Sequence, residues 1–165
     1  MKQTAQTGRR TLARRPSSRP SGASLEVPQE YGEECGGKTG VPYRSFATPP
    51  ARLTRITVWH RDLVDGLLLE TDQGALPKIG GTGMHRDIRQ DSFALAADEV
   101  LTGISVEYSG FVNRILFHTN LRDYGPFGGP GGEFKKRLDA PVGSAVIGFK
   151  GRHWIFVDSI QLLVH

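Results

Sequence analysis

Residues 145–165 read AVIGFKGRHWIFVDSIQLLVH, and this stretch is the most informative about the fold. Over residues 154–164 four apolar residues share one parity, the period of two that a half-buried strand requires: Phe156, Ile160, Leu162 and Val164. Residues 145–149 form a second short apolar run, and glycines follow it as turn signals. Asp158 is the only acidic residue after Asp139, and a carboxylate in such an apolar setting is costly without hydrogen-bond donors. We therefore expect two strands here, with one carboxylate that needs partners.

Upstream segments repeat this short, alternating pattern, rich in β-branched and aromatic residues: residues 53–59, 63–70, 101–108 and 111–119. Arg61 and Asp62 separate the first two segments at a spacing typical of a hairpin. Residues 92–100 (SFALAADEV) admit a short helix, but strand and turn are the preferred interpretation. About ten to twelve short strands with glycine-rich corners indicate an all-β sandwich, barrel or prism, and periodicity alone leaves these three open.

The composition fits one globular domain. The chain has 165 residues, enough for a single core, and its 21 glycines and 10 prolines suit an all-β fold with many tight turns. A single cysteine, Cys35, excludes an intramolecular disulfide and mildly favours the cytosol. No run of apolar residues approaches the length of a membrane-spanning helix, and no export signal is recognised at the N-terminus. We therefore expect no membrane insertion.

The positive charge is concentrated at the N-terminus. Residues 1–24 contain six basic residues and no acidic residue, which gives this segment a charge of +6. Because the whole chain carries a net charge of +4, residues 25–165 carry about −2. Residues 1–32 are predicted to be a disordered basic tail or linker, because so few apolar residues cannot offset the entropy of ordering. Contact with an anionic surface is the alternative role for the tail. No aromatic residue lies between the arginines, so base stacking is unsupported and no nucleic-acid partner is expected.

Several short motifs become specific when they are taken together and in order: GGKTG at 36–40, VDGL at 64–67, KIGG at 78–81, FHTN at 117–120, YGPFG at 124–128, IGFKG at 147–151 and VDSI at 157–160. Their order and spacing resemble the jacalin-related lectin family. The resemblance implies a jacalin-like lectin domain over residues 33–165. It also implies a type I β-prism of three Greek-key four-stranded sheets, and a carbohydrate-binding protein that is not an enzyme.

The resemblance also implies where a sugar binds. One part of the site is the glycine loop at Gly36 and Gly37, and a second is a recognition loop that contains Ser109 and Gly110. The third is a Gly-x-x-x-Asp loop, here the residues Trp154, Ile155, Phe156 and Asp158, with Trp154 where the family usually has glycine. A carboxylate such as that of Asp158 accepts bonds from two neighbouring hydroxyls, and amides of the loop donate to ring oxygens.

Each of these residues also has a plainer interpretation. Taken alone, Asp158 suits a turn in which it bonds its own backbone, and the motifs around it shift the balance towards sugar binding; the two glycines also suit a simple strand entry. Trp154 and Phe156 are residue types that more often pack than bind ligand. A tryptophan that replaces a glycine with positive φ would be strained, which allows an altered or lost site. The alternative function is therefore a β-prism used as a protein-interaction or structural module.

The preferred ligand is a mannose- or glucose-type mono- or oligosaccharide. Family members with uncleaved chain ahead of the first strand tend to bind such sugars, and this chain has a long segment there. Binding at one such site is weak, so a homo-oligomer is a possible source of avidity. We expect no cofactor and no metal, because the five histidines lack ligand spacing and the GGPGG run at 128–132 lacks the Lys-Ser/Thr of a phosphate loop.

Overall fold

The computed structural model describes residues 27–83 and 87–165. Its elements, in chain order, are β1 (Gln29–Gly36), β2 (Val41–Ser45), β3 (Leu53–His60), β4 (Val64–Thr71), β5 (Gly74–Ala75), β6 (Ile79–Gly80), β7 (Arg89–Ala94), β8 (Leu101–Tyr108), β9 (Val112–Thr119), β10 (Asp123–Gly128), β11 (Phe134–Asp139), β12 (Val146–His153) and β13 (Ser159–Val164). Most of the predicted disordered tail lies outside the described residues. Within them, no helix has the length and apolar character needed to cross a bilayer.

The strands form three antiparallel sheets, each built around a central hairpin. The strand orders are β1-β13-β12-β2, β10-β9-β8-β11 and β5-β4-β3-β7, with β6 also paired to β4. In the second sheet β11 returns beside β8, which is the order of a Greek key. The first sheet joins the two ends of the domain, because β1 and β2 flank the hairpin of β12 and β13. The expected all-β prism of three sheets is confirmed.

The core lies where the inner faces of the three sheets meet. Ile56 on β3, Ile104 on β8 and Ile160 on β13 are all fully buried, one from a central strand of each sheet. Phe117 and Phe149 are also fully buried, and their rings lie 6.4 Å apart across two sheets. Burying each such side chain contributes about 1.5–3 kcal/mol. Since these positions alternate with polar ones, the period of two in the sequence sets which face of each strand is buried.

Three details differ from the sequence-based expectations. The last strand begins at Ser159 rather than Trp154, because residues 154–156 form an apolar turn, with Trp154 and Ile155 exposed, that resembles a strand only in composition. The first strand begins at Gln29, ahead of the boundary expected after residue 32, because it is held by backbone pairing to β13 and needs few apolar side chains. The third sheet has five strands rather than four, since both β5 and β6 pair with β4.

The interpretation of residues 92–100 as strand and turn is confirmed, because β7 ends at Ala94 and a turn follows it. The hairpin turn at Arg61 and Asp62 is also present, with the amide of Arg61 bonded to the carbonyl of Leu63 at 3.0 Å. Cys35 is fully buried, and burial raises the pKa of its thiol. The thiol is therefore a core group and not a surface one.

Candidate functional site

One end of the prism is formed by the turns of the three central hairpins. These turns are bonded to each other through the strand ends next to them. The amide of Val157 donates to the carbonyl of Val64 at 3.1 Å, and the amide of Val112 donates to the carbonyl of Val157 at 3.0 Å. All three valines are fully buried. The three turns are therefore a single rigid platform, which we call the prism tip.

A diglycine corner packs against each hairpin of the prism tip in the same way. The amide of Gly37 donates to the carbonyl of Asp158 at 2.8 Å, that of Gly81 to Asp65 at 2.9 Å, and that of Gly129 to Asn113 at 3.1 Å. Asp158, Asp65 and Asn113 thus occupy equivalent positions in an approximate threefold arrangement. We did not anticipate this equivalence, although the sequence carries its signal, because each residue directly follows one of the three valines.

At the corner formed by Gly36 and Gly37, which we call the first corner, the backbone comes too close for any side chain. A Cβ on Gly37 would lie 2.0 Å from the carbonyl oxygen of Gly110, and one on Gly36 would lie 2.1 Å from that of Asp158. Gly36 also has a φ of 133°, which disfavours other residues. Both glycines are therefore required by geometry, and they bring the loop of residues 109–111 against the hairpin that carries Asp158.

The carboxylate of Asp158 is buried, with 2% of the residue exposed. Its Oδ2 accepts a hydrogen bond of 2.6 Å from the hydroxyl of Thr39. Within the part of the chain that the structure describes, its Oδ1 is buried and has no hydrogen-bond partner. The side chain therefore bonds a neighbouring loop rather than its own backbone, and one of its acceptor oxygens is unused.

The other expected residues lie on the rim of this corner. Trp154 is 68% exposed and Ile155 38%, so neither side chain fills the core. Their turn is closed by a 3.1 Å bond from the amide of Trp154 to the carbonyl of Phe156. Phe156 meets Phe111 edge to face at 5.4 Å. Trp154 therefore presents an open aromatic face, whereas Phe156 is a packing residue.

Ser109 is placed differently from Gly110. Its hydroxyl accepts a 2.9 Å hydrogen bond from the amide of Glu133, and its own amide donates to the carbonyl of Phe111 at 3.0 Å. These bonds direct Ser109 towards the start of β11. The structure therefore brings together Gly36, Gly37, Gly110 and Asp158, with residues 154–156 beside them and Ser109 further away.

The second corner, formed by Gly80 and Gly81 against Asp65, is closed by a lysine. The ammonium group of Lys78 donates a 2.5 Å hydrogen bond to the carbonyl of Gly81 and lies 4.2 Å from the centre of the Trp59 ring. Burial lowers the pKa of Lys78 to about 8, and the charge of Asp65 opposes that shift. Asp65 is 1% exposed. This corner therefore holds its carboxylate beside an internal cation.

A chain of hydrogen bonds on the second sheet has the order of a catalytic triad. Ser105 Oγ lies 2.7 Å from His118 Nε2, and His118 Nδ1 lies 2.7 Å from Asp123 Oδ1. Ser105, however, is in the middle of β8, which pairs with β9 on one side and β11 on the other. Backbone amides of such a strand are used by the ladder and cannot form an oxyanion hole. The chain is therefore a structural feature of the sheet.

Comparison with known proteins gives a consistent result. The family model described as the jacalin-like lectin domain matches residues 32–163. The jacalin-related lectin Calsepa of Calystegia sepium is 32% identical over 87 residues, which are 50% of this chain and 56% of that protein. The alignment thus spans little more than half the length of that relative.

Solved structures share the fold. The Calystegia sepium agglutinin superposes with a TM-score of 0.73 at 23% identity, covering 84% of this chain and 97% of that one. Malaysian banana lectin gives a TM-score of 0.71 at 20% identity over 84% and 98%. Artocarpin, solved as a complex with mannotriose, gives 0.68 at 20% identity, again over 84% and 98%.

Proposed function

Because this chain belongs to the jacalin-like lectin domain family, we propose that it is a carbohydrate-binding lectin whose ligand is a mannose- or glucose-type saccharide held at the first corner of the prism tip. Lectins bind carbohydrate without catalysing a reaction, in line with the expectation that this protein is not an enzyme. Artocarpin binds mannotriose in its solved complex, and Calsepa binds a biantennary N-glycan in another. These relatives motivate the choice of sugar.

The observation that carries the proposal is the unused acceptor of Asp158. Oδ1 of Asp158 is buried and unpartnered within the described residues, and Oδ2 bonds only the Thr39 hydroxyl. A buried carboxylate oxygen without a donor is unfavourable by about 1–3 kcal/mol or more. A hexose with two adjacent hydroxyls supplies two donors to one carboxylate, and such charge-assisted bonds are among the stronger ones. A saccharide would thus supply the donor that Oδ1 lacks among the described residues.

The rim supplies the remaining contacts of the proposed site. The amides of Ile155 and Phe156 lie in the same turn as Trp154 and are the donors we assign to the ring and exocyclic oxygens. The exposed face of Trp154 is assigned to the apolar C–H side of the sugar ring. A site that contacts so few atoms binds weakly, so we expect avidity from several copies, in a homo-oligomer or in tandem.

A second function is favoured by one observation. Asp158 is 2% exposed and already holds Thr39, so a prism whose sugar site has been lost, used as an interaction module, is the alternative. The two functions predict opposite results with simple sugars. A lectin is stabilised by saturating methyl α-mannoside, because the ligand binds the folded state alone, whereas a lost site gives no shift in melting temperature.

Asp158→Asn tests the assigned residue. The substitution keeps the size of the side chain and an oxygen for Thr39, but it removes the charge that strengthens bonds to sugar hydroxyls. We expect affinity for methyl α-mannoside, measured by calorimetry, to fall at least about tenfold.

Asp65→Asn is the matched control, because Asp65 occupies the equivalent position at the corner that Lys78 closes. Its affinity is expected to equal that of the wild type. Equal affinities for the wild type and Asp158→Asn would rule out Asp158 as the main acceptor.

A further inference from the structure

The contact between Thr39 and Asp158 has the chemistry of a bound ligand. An aliphatic hydroxyl donates a 2.6 Å hydrogen bond to a buried carboxylate oxygen, as the hydroxyl of a hexose would. Thr39 itself is exposed and belongs to the loop between Gly37 and Gly40. Its side chain therefore covers, from the solvent side, the group that we assign to the sugar.

We propose that Thr39 is an internal competitor for the carboxylate of Asp158, so that a saccharide must displace its hydroxyl before it binds. This inference rests on the function proposed above. Thr39 is thereby a residue that sets affinity and specificity, although it is not one of the groups that hold the ligand.

The side chains of Lys38 and Thr39 lie outside the core, between two glycines that are packed in place. Glycines stand at both ends, and Gly40 has a φ of 80°, a conformation that most residues disfavour. Lys38 and Thr39 between them are exposed and bury no apolar side chain. An exposed side chain with few buried contacts reorients at low free-energy cost. Displacement of Thr39 therefore leaves the core of the prism intact.

One side chain fastens the loop. The guanidinium group of Arg152 donates to the carbonyl of Gly40 at 2.8 Å and to that of Thr39 at 3.2 Å. Arg152 lies on β12, which is a central strand of the first sheet. The loop is thus held at two points, by Asp158 through the hydroxyl of Thr39 and by Arg152 through the backbone.

The second corner shows why the first one is able to open. There the half-buried ammonium group of Lys78 contacts Trp59 and the carbonyl of Gly81, and its charge interacts with that of Asp65. A sugar hydroxyl cannot replace the charge of Lys78 beside Asp65. At the first corner a neutral hydroxyl replaces a neutral hydroxyl, so the exchange costs little.

The exchange also restricts the ligand. A ligand with a single hydroxyl in reach replaces one hydrogen bond by another and gains little. A vicinal diol replaces Thr39 at Oδ2 and adds a second bond at Oδ1, the oxygen without a partner in the described residues. Thr39 thus selects for saccharides that present two adjacent hydroxyls to Asp158.

The test is the affinity of the full chain for methyl α-mannoside after Thr39→Val, which keeps the shape of the side chain and removes its hydroxyl. We expect the association constant to rise about tenfold, because the ligand no longer competes with a charge-assisted hydrogen bond. Thr39→Ser restores the hydroxyl and is expected to bind as the wild type does. Thr54→Val is the control, because its hydroxyl bonds only a backbone carbonyl, that of Glu70, on another sheet.

The outcomes separate this inference from the proposed function. If the wild type binds the mannoside and Thr39→Val binds no more tightly, the competition is refuted and the lectin function stands. If neither protein binds, the function fails and the inference with it. Should Thr39→Val not fold, Thr39→Ala replaces it, since that change also removes the competing hydroxyl. The same increase is then expected, and an unchanged affinity again refutes the competition.

Discussion

Gly37→Ala should lower the free energy of unfolding substantially, although it adds only one methyl group. The added methyl carbon would lie 2.0 Å from the carbonyl oxygen of Gly110, whereas real Cβ atoms essentially never approach within 3.0 Å. The loop at residues 109–111 must therefore move by about an ångström or more. Both sides resist, because the amide of Gly37 is bonded to Asp158 and the amide of Ser109 to Phe111. Overpacking of this kind costs about 1–3 kcal/mol.

The measurement is the free energy of unfolding from urea denaturation, together with the melting temperature. For a chain of this size the expected cost lowers the melting temperature by roughly 3–10 °C. Gly110→Ala is the matched control from the other side of the same contact, because a Cβ at Gly110 meets nothing within 4 Å. Equal stabilities of Gly37→Ala and Gly110→Ala would refute the close packing of the first corner.

Two further predictions concern Trp154 and Lys78. Trp154→Gly should leave the free energy of unfolding within about 0.5 kcal/mol of the wild type, because the side chain is exposed. The same change should weaken mannoside binding measured by calorimetry. Tighter binding would mean that the indole obstructs the site. Lys78 has a folded pKa of about 8, below its usual 10.5, so the folded chain releases a proton that the unfolded chain still holds between these values. The free energy of unfolding of the wild type should therefore rise from pH 8 to pH 10 relative to that of Lys78→Met. The rise should be no more than about 1 kcal/mol, because the group is partly exposed. Free energies from urea denaturation that change with pH in the same way in both proteins would contradict this.

The strands of the prism could be predicted because buried and exposed residues alternate along them. That pattern failed where backbone or turn geometry decided the structure. The strand that begins at Gln29 has an exposed polar face and is defined by its pairing with β13. The turn at residues 154–156 is apolar although Trp154 and Ile155 are exposed, so its composition indicated a strand.

The candidate site was predicted only in part, because the decisive contacts join residues far apart in sequence. Gly36, Gly37 and Asp158 followed from the resemblance, and the structure brings them together. Thr39 and Lys78 carried no signal of their own, since nothing local indicates that a threonine will bond a carboxylate on another loop or that the charge of a lysine will interact with one. The Val-Asp and Val-Asn pairs that bond each corner were visible in the sequence, and a search for internal repeats would have found them.

The most direct measurement is a titration of the isotope-labelled protein with methyl α-mannoside, followed through backbone amide chemical shifts. If a hexose lies against Asp158, the shifts that change most belong to Gly37, Thr39, Ile155 and Phe156, while those around Asp65 and Gly81 stay constant. Changes centred on the second corner, or a spectrum unaltered at saturating sugar, would contradict the placement of a saccharide at Asp158.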